Sequence, residues 1–338
     1  MPVTTKQIAE IAGVSRGTVD RALNNRPGVN EATRKKILSI AERLRYVPNR
    51  AGKALSTAGR TLSIGIVLNC VDNPFYDDII AGIEACRAAY KDFDIDFHYH
   101  RLKGYSALEQ LDALRKLEDV QIILISPLNE PEVTAKINSL TENGAAVITL
   151  NSDIEYSKRL LHVGCNYHAS GCTAAGILGL TLGSGTVGIV TGSLRMLGHR
   201  QRVKGFLEEL GLRFPNIKNA WLIENNDDDK KSYDAVKNRL SKEPAISAVY
   251  FCAGGVFGGV NAIQEVLSSA LPIIIACDDI PQTLELVKSG QIMATICQEP
   301  FRQGYEAMRL ALEYHITGKR PAPDTIYMKN EIKILQNI

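Results

Sequence analysis

The sequence predicts an α/β body of doubly wound parallel sheets carried behind a small, basic, all-helical head. Three observations lead there. At 338 residues the chain exceeds what one ordinary core organises and suits two or three structural units. Beyond Thr61, short apolar and β-branched runs alternate with helical segments, the pattern of strands buried on both faces and crossed over by helices. The charge is also uneven: residues 1–60 hold twelve Lys and Arg against four acids, a net of +8, so a whole-chain charge of +2 leaves −6 on the rest. A basic head on an acidic body suits a polyanionic partner for the head.

The head opens with Thr4-x-x-Gln7, a capping box in which the two side chains close each other's orphan amides. Ile8, Ala9 and Ile11 follow as an apolar face, and Gly13 supplies the left-handed residue that ends a helix. Ser15 caps a second helix whose apolar positions are Val19, Ala22 and Leu23. The spacing Ala9, Gly13, Val19 puts a small residue at the crossing, a glycine in the turn and an apolar wedge beneath, as two steeply crossing helices require. A third helix is expected from Glu31 to Arg45, capped by Asn30 and stopped by Pro48.

A plain three-helix bundle with a solvated charged face fits the same pattern. Against it stand the basic excess and the position of Arg16, Thr18 and Arg21 on the exposed side of the second helix, the side that meets base edges in the major groove. Gly17 is a poor residue for the first turn of a helix that only has to form. After Pro48, the stretch Arg50 to Ser56 is too short to be a stable helix alone and suits a hinge that folds on binding.

These residues carry a specific resemblance. Residues 3–55, through "AGVS-x-x-TV-x-R-x-LN", "V-x-x-x-TR-x-x-I" and "Y-x-PN-x-x-A-x-x-L", resemble the DNA-binding headpiece of the lactose-repressor (LacI/GalR) family of bacterial transcription regulators. The resemblance implies a helix-turn-helix headpiece over 1–48, a hinge helix and linker over 49–60, and a homodimer on a pseudo-palindromic operator in double-stranded DNA. It implies DNA contacts from Thr4, Ser15, Arg16, Gly17, Thr18, Asp20, Arg21 and Asn24 in the headpiece, and from Asn49, Arg50, Lys53 and Leu55 in the hinge. Arg16, Gly17 and Arg21 match base-reading positions, and Leu55 matches a leucine that wedges into the minor groove. Asp20 departs from the family, which more often has serine there. Four residues from Arg16 on one helix face, it can pair with that guanidinium and aim it at a guanine edge, or simply be tolerated on the rim.

In the body the strand candidates are 63–68, 121–126, 146–150, 187–192, 248–254, 272–277 and 294–297. "GSGTVG" (183–188) matches a dinucleotide fingerprint in letters only. Here a helix precedes the glycines and a strand follows, the reverse of the order that motif needs. In doubly wound sheets ligands bind beyond the carboxyl ends of the strands. Those ends carry Asn73, Phe75 and Tyr76, then Asn151, Ser152 and Asp153, then His199 and Arg202, then Gly254 and Gly255, Asp278 and Gln298. Aromatic rings, amides, one guanidinium and one carboxylate describe a site for a polyhydroxylated ring.

The same pattern resembles the periplasmic sugar-binding-protein fold that forms the body of this repressor family. "NPFY", "R-x-x-GF", "DD" and "ATI-x-Q" resemble the ribose-type binding proteins in particular. The resemblance implies that Asn73, Phe75, Tyr76, Arg202, Asp278 and Gln298 hold a sugar. It also implies a ligand-binding and dimerisation domain over 61–338 in two lobes, about 61–162 with 294–318 and about 163–293 with 319–338, closing like a hinge. Two departures bear on the ligand. Asn151 stands where the relatives have an acid, and Gly254-Gly255 where they have Asn-Asp. Bare glycines at a helix start expose amides suited to an anion, so a sugar acid or phosphosugar stands beside a neutral sugar.

Other classes find little support. The seven cysteines are dispersed without a C-x-x-C pair and the six histidines lack ligand spacing, so no metal, cofactor or catalytic residue is expected. Cys252 and Cys277 lie near strand ends without an evident base. "MPVTTKQIAE" has no apolar signal run, and the uncharged stretch 169–194 is broken by glycines, so a cytoplasmic protein without membrane contact is expected. The rival readings are a solute-binding protein and a sugar-modifying α/β enzyme.

Overall fold

The computed structural model describes residues 5–23, 27–44, 61–91, 93–267 and 271–338. The chain divides into two compact units, residues 1–60 and 61–338. Thr4, Asn24, Asn49, Arg50, Lys53, Leu55, Pro48 and the expected hinge helix lie outside the described residues.

The first unit holds helices α1 (Thr5–Ala12), α2 (Arg16–Leu23) and α3 (Glu31–Arg43). Ile8, Ala9, Ala12, Val19, Ala22, Ile37, Ile40 and Ala41 form its core. The turn works as its residues dictate. Gly13 has φ +70°, and the Val14 amide donates to the Ala9 carbonyl at 3.0 Å. Ser15 Oγ accepts from the Thr18 amide at 3.1 Å, and Asn30 Oδ1 accepts from the Thr33 amide at 2.7 Å, so α2 and α3 start on the expected caps. Ile11 differs from expectation: it is 47% exposed, because Ala12 rather than Ile11 continues the buried stripe begun by Ile8 and Ala9.

The second unit contains two six-stranded sheets. The first has the order β11-β5-β4-β3-β1-β2, with β1 (Leu62–Leu68), β2 (Ile95–Arg101), β3 (Ile122–Ile125), β4 (Ala146–Asn151), β5 (Leu161–Cys165) and β11 (Thr325–Met328), all parallel. The second has the order β12-β10-β9-β8-β6-β7. It comprises β6 (Gly185–Thr191), β7 (Ile217–Glu224), β8 (Ala248–Phe251), β9 (Ile273–Cys277), β10 (Ala294–Cys297) and β12 (Glu331–Lys333), with only β12 antiparallel. Alternate residues feed opposite faces. Ile122 and Leu124 enter one core while Ile123 and Ile125 enter another, and Ile275 and Cys277 are divided from Ile274 and Ala276 in the same way.

Helices cover both faces of each sheet. The first lobe carries α4 (Phe75–Ala89), α5 (Ala107–Arg115), α6 (Pro131–Glu142) and α12 (Pro300–Thr317). The second carries α7 (Tyr167–Leu182), α8 (Leu197–Arg213), α9 (Asp229–Lys242), α10 (Val256–Val266) and α11 (Pro281–Lys288). "GSGTVG" is a helix-to-strand loop, with α7 before it and β6 through it.

The chain crosses between lobes three times, after β5, after β10 and after β11. The expected lobe limits therefore shift. Residues 294–297 pair with β9 in the second sheet, while 163–165 and 325–328 pair within the first. The reason is that each sheet completes five parallel strands before the chain leaves it.

A candidate ligand pocket between the lobes

Strand-end loops of both lobes converge on one pocket of about 30 Å3. From the first lobe come Asn73, Phe75 and Tyr76 at the start of α4, and Asn151 and Ser152 at the end of β4. From the second come His199 and Arg202 on α8, Gly254 after β8, and Asp278 after β9. Gln298 enters from the crossover after β10. Several strand ends are held in the left-handed region without glycine: Asn151 at φ 61°, Asp227 at 57° and Asp278 at 71°. Asn and Asp tolerate that conformation best among non-glycine residues.

The floor is a polar chain at the hinge. Asn151 Nδ2 donates to Tyr167 Oη at 3.1 Å and to Gln298 Oε1 at 3.2 Å, and Tyr167 Oη donates to the same Gln298 oxygen at 2.9 Å. Gln298 Nε2 in turn donates to Asp278 Oδ1 at 2.7 Å. Burial pushes the Asp278 carboxyl up to about 6, against the opposing pull of Arg202 and the Gln298 hydrogen bond.

Arg202 is the most exacting group in the pocket. It is 2% exposed, stacks over the Tyr167 ring at 4.9 Å and donates through Nη1 to the Cys252 carbonyl at 3.0 Å. Its Nη2 stands 4.0 Å from Asp278 Oδ1, an ion pair too long for a hydrogen bond, and Nε and Nη2 have no hydrogen-bond acceptor. Leaving guanidinium donors buried and unmatched is costly, so the site is built to receive acceptor atoms.

Phe75 and Tyr76 are buried with ring centroids 5.4 Å apart and planes at 83°, giving the pocket an apolar wall. Burial pushes His199 below its ordinary range and keeps it neutral. Its Nδ1 accepts from the Ser193 amide at 3.1 Å, which leaves the proton on Nε2.

Ten of the twelve strand-end residues named from the sequence line this pocket; Gly255 and Asp153 do not. Its carboxylate is held by Arg159 Nε at 2.6 Å, Arg159 Nη2 at 2.7 Å and Thr149 Oγ1 at 2.7 Å. Asp153 follows the strand end by one residue too many and turns back onto its own lobe.

Among the residues that went unseen in the sequence are Tyr105, Tyr167 and Asp227. Asp227 is the most informative. Its Oδ1 accepts from the Gly254 amide at 2.9 Å, and its Oδ2 accepts from Asn73 Nδ2 at 3.3 Å and from the Tyr105 hydroxyl. One carboxylate of the second lobe thus ties down two side chains of the first. It also explains the glycines: a Cβ on Gly254 would lie 2.9 Å from Asp227 Cβ, and Gly255 has φ +78°. The amide that seemed open to a foreign anion is capped from within.

Other bonds join the lobes nearby. The Gly198 amide donates to Ser152 Oγ at 3.2 Å, the Asn129 amide to the Arg195 carbonyl at 2.8 Å, and Arg200 pairs with Glu155 at 2.7 Å.

In the first unit, Ser15, Arg16, Gly17 and Arg21 are exposed, and Thr18 and Asp20 half-buried. Arg21 Nη2 reaches Thr18 Oγ1 at 3.4 Å, and only Ser15 Oγ, at 3.8 Å, would neighbour a Cβ on Gly17.

Comparison with known proteins fits both units. Residues 4–49 match the profile of bacterial regulatory proteins, lacI family, and residues 64–320 match that of the periplasmic binding protein domain. The chain belongs to the lacI family of bacterial regulatory proteins, with a periplasmic binding protein domain as its body. Among curated relatives of this family member, the protein named Probable HTH-type transcriptional repressor ExuR of Bacillus subtilis (strain 168) is 28% identical over 267 residues, 77% of this chain and 76% of that one. Catabolite control protein A of Priestia megaterium is 25% identical over 331 residues, 93% of each chain. Among solved structures, the glucose-galactose binding protein GanP of Geobacillus stearothermophilus has a TM-score of 0.76 at 24% identity, covering 82% of this chain and 99% of its own. The body therefore has the fold of sugar-binding proteins, and the head makes the chain a DNA-binding transcriptional regulator.

Proposed function

We propose that this regulator is a homodimeric, cytoplasmic repressor whose operator affinity is set by a sugar or sugar-derived ligand held between the lobes. The observation that carries the reading is the buried Arg202, with two donor nitrogens unmatched in a pocket walled by Phe75 and Tyr76. Hydroxyl and ring oxygens accept from Arg202, hydroxyl protons go to Asp278 and Asn151, and the rings cover C–H faces. Because both lobes contribute, a ligand stabilises the closed arrangement by its differential contacts with it, and so shifts how the heads are presented to DNA.

The exposed face of α2 is the reading surface, with Arg16 and Arg21 as base-reading side chains and Gly17 leaving room for close approach. Asp20 aims Arg16 in this scheme. Asp20→Ala then relaxes the guanine preference in a binding-site selection, and an unchanged preference returns Asp20 to a rim role.

The two cysteines near the strand ends are poor nucleophiles. Cys252 and Cys277 are buried, and burial pushes both thiols up, Cys252 to about 12. No helix among the described residues is long and apolar enough to cross a membrane.

The test is a mobility-shift assay on DNA recovered by selection, with the full chain and with residues 1–60 deleted, each with and without sugars found by thermal shift. Retardation by the full chain alone, altered by a stabilising sugar, supports the proposal. Retardation that no stabilising ligand alters sinks the effector role.

A further inference from the structure

Among the described residues that line the inter-lobe pocket, three buried side-chain atoms have no hydrogen-bond partner: Arg202 Nε, Arg202 Nη2 and Thr283 Oγ1. The first two belong to the guanidinium already described. Thr283 is 1% exposed and is the one residue of α11 on the pocket wall.

The segment "CDDIPQT" (277–283) puts it there. Asp278 turns in the left-handed region at φ 71°, Ile280 is extended at φ −61° and ψ 152°, and Pro281 opens α11 where a missing amide leaves no bond unmade. Thr283 follows on the third helical position. A threonine that serves the helix bonds back to the carbonyl four residues before it or to a neighbouring backbone group. Thr283 Oγ1 makes no such bond. Its surroundings offer little else. Ala253, Val256 and Ile280, which line the same pocket, have no polar side-chain atom, and Asp278 Oδ1 is engaged by Gln298. A valine would fill the same shape without leaving a buried hydroxyl unmatched, so the hydroxyl has no task within the folded chain.

We propose that Thr283 is a specificity-determining residue whose hydroxyl pairs with one hydroxyl group of the sugar, beyond those held by Arg202 and Asp278. This rests on the inter-lobe pocket being the sugar site. A guanidinium only donates and an ionised carboxylate only accepts, whereas a threonine hydroxyl does both, so it meets a sugar hydroxyl in either orientation. It also confers selection. A site built to bond a hydroxyl rejects the analogue that lacks it, because the site's own group is then left unpaired.

The test is calorimetry on the full chain with D-ribose, D-glucose and D-galactose, and with the monodeoxy derivatives of whichever binds. Thr283→Val is expected to weaken that sugar about tenfold, and Thr283→Ser to keep it within about threefold of the parent protein. One monodeoxy derivative should lose the same factor on the parent protein and nothing further on Thr283→Val, which locates the hydroxyl that Thr283 takes. Without ligand, the unfolding midpoint of Thr283→Val should equal the parent's or exceed it, as for removal of an unmatched buried hydroxyl, whereas a hydroxyl that held the fold would lower it. Thr283→Val binding as tightly as the parent overturns the proposal and leaves the sugar site standing. So does a loss that every monodeoxy derivative shares equally, or one that is reproduced by Ser232→Ala, which removes an unmatched buried hydroxyl off the pocket wall. Silence from all three sugars on the parent protein overturns the sugar site as well.

Discussion

The two lobes of the body are built alike and equipped differently. Their strand orders, β2-β1-β3-β4-β5 and β7-β6-β8-β9-β10, are the same pattern. Each also packs one helix pair through glycines at backbone contact. A Cβ on Gly82 would lie 2.0 Å from the Phe301 carbonyl oxygen, and one on Gly171 would lie 2.0 Å from that of Arg202. Yet the first lobe brings neutral groups to the pocket, Asn73, Phe75, Tyr76, Asn151 and Ser152, while the second brings the charges, Arg202, Asp227 and Asp278. One scaffold thus serves twice, and the chemistry lies in loops and helix starts that the scaffold leaves free.

Substitutions can break that division. The largest effect is expected from Arg202→Met, which removes the pocket's only guanidinium and strands the Asp278 charge. Ligand binding and stability should each fall by about 3–5 kcal/mol, read by calorimetry and denaturant unfolding. Next come the paired glycines. Gly82→Ala and Gly171→Ala should each cost about 3 kcal/mol in unfolding, because a backbone contact cannot yield as a side chain can. They should part in ligand affinity. Gly171→Ala displaces the backbone of Arg202 itself, whereas Gly82→Ala disturbs only the neutral lobe. Equal effects on affinity would dissolve the distinction between lobes.

A smaller effect concerns pH. The Asp278 carboxyl titrates near 6 in the folded chain, above its ordinary 3.8, so the folded state binds the extra proton. The associated stability is fully present below about pH 4 and is lost as pH rises through about 6, a drop on the order of 2 kcal/mol. Thermal unfolding from pH 4 to 7 should show it in the parent and not in Asp278→Asn. The smallest effect is expected from Tyr105→Phe, which takes one inter-lobe donor from Asp227. It should cost about 1 kcal/mol in unfolding free energy, read by denaturant unfolding.

Much of this arrangement was legible in the residues. Central strands such as 63–68 and 272–277 announce themselves because burial on both faces demands continuous apolar runs. Their ends then point to the pocket, which is why Asn73, Arg202 and Asp278 could be named. The edge strands were invisible for the same reason. β7, "IKNAWLIE", buries only Ile217 and Trp221 and carries two charges, so it does not look like its neighbours. Missing β7 meant missing Asp227, which sits just past its end. Tyr167 was missed because it opens α7 just past β5, a strand absent from the candidates. The lobe limits shifted because no run of residues marks where a chain changes sheets.

The central claim is that ligand between the lobes and DNA on the head are read by one equilibrium. The most direct test measures both affinities in both directions, by fluorescence anisotropy of the selected operator with and without the sugar, and by calorimetry of the sugar with and without operator. Coupling of this kind is reciprocal, so the two factors must be equal and different from one. A ligand that binds tightly while leaving operator affinity untouched would contradict it.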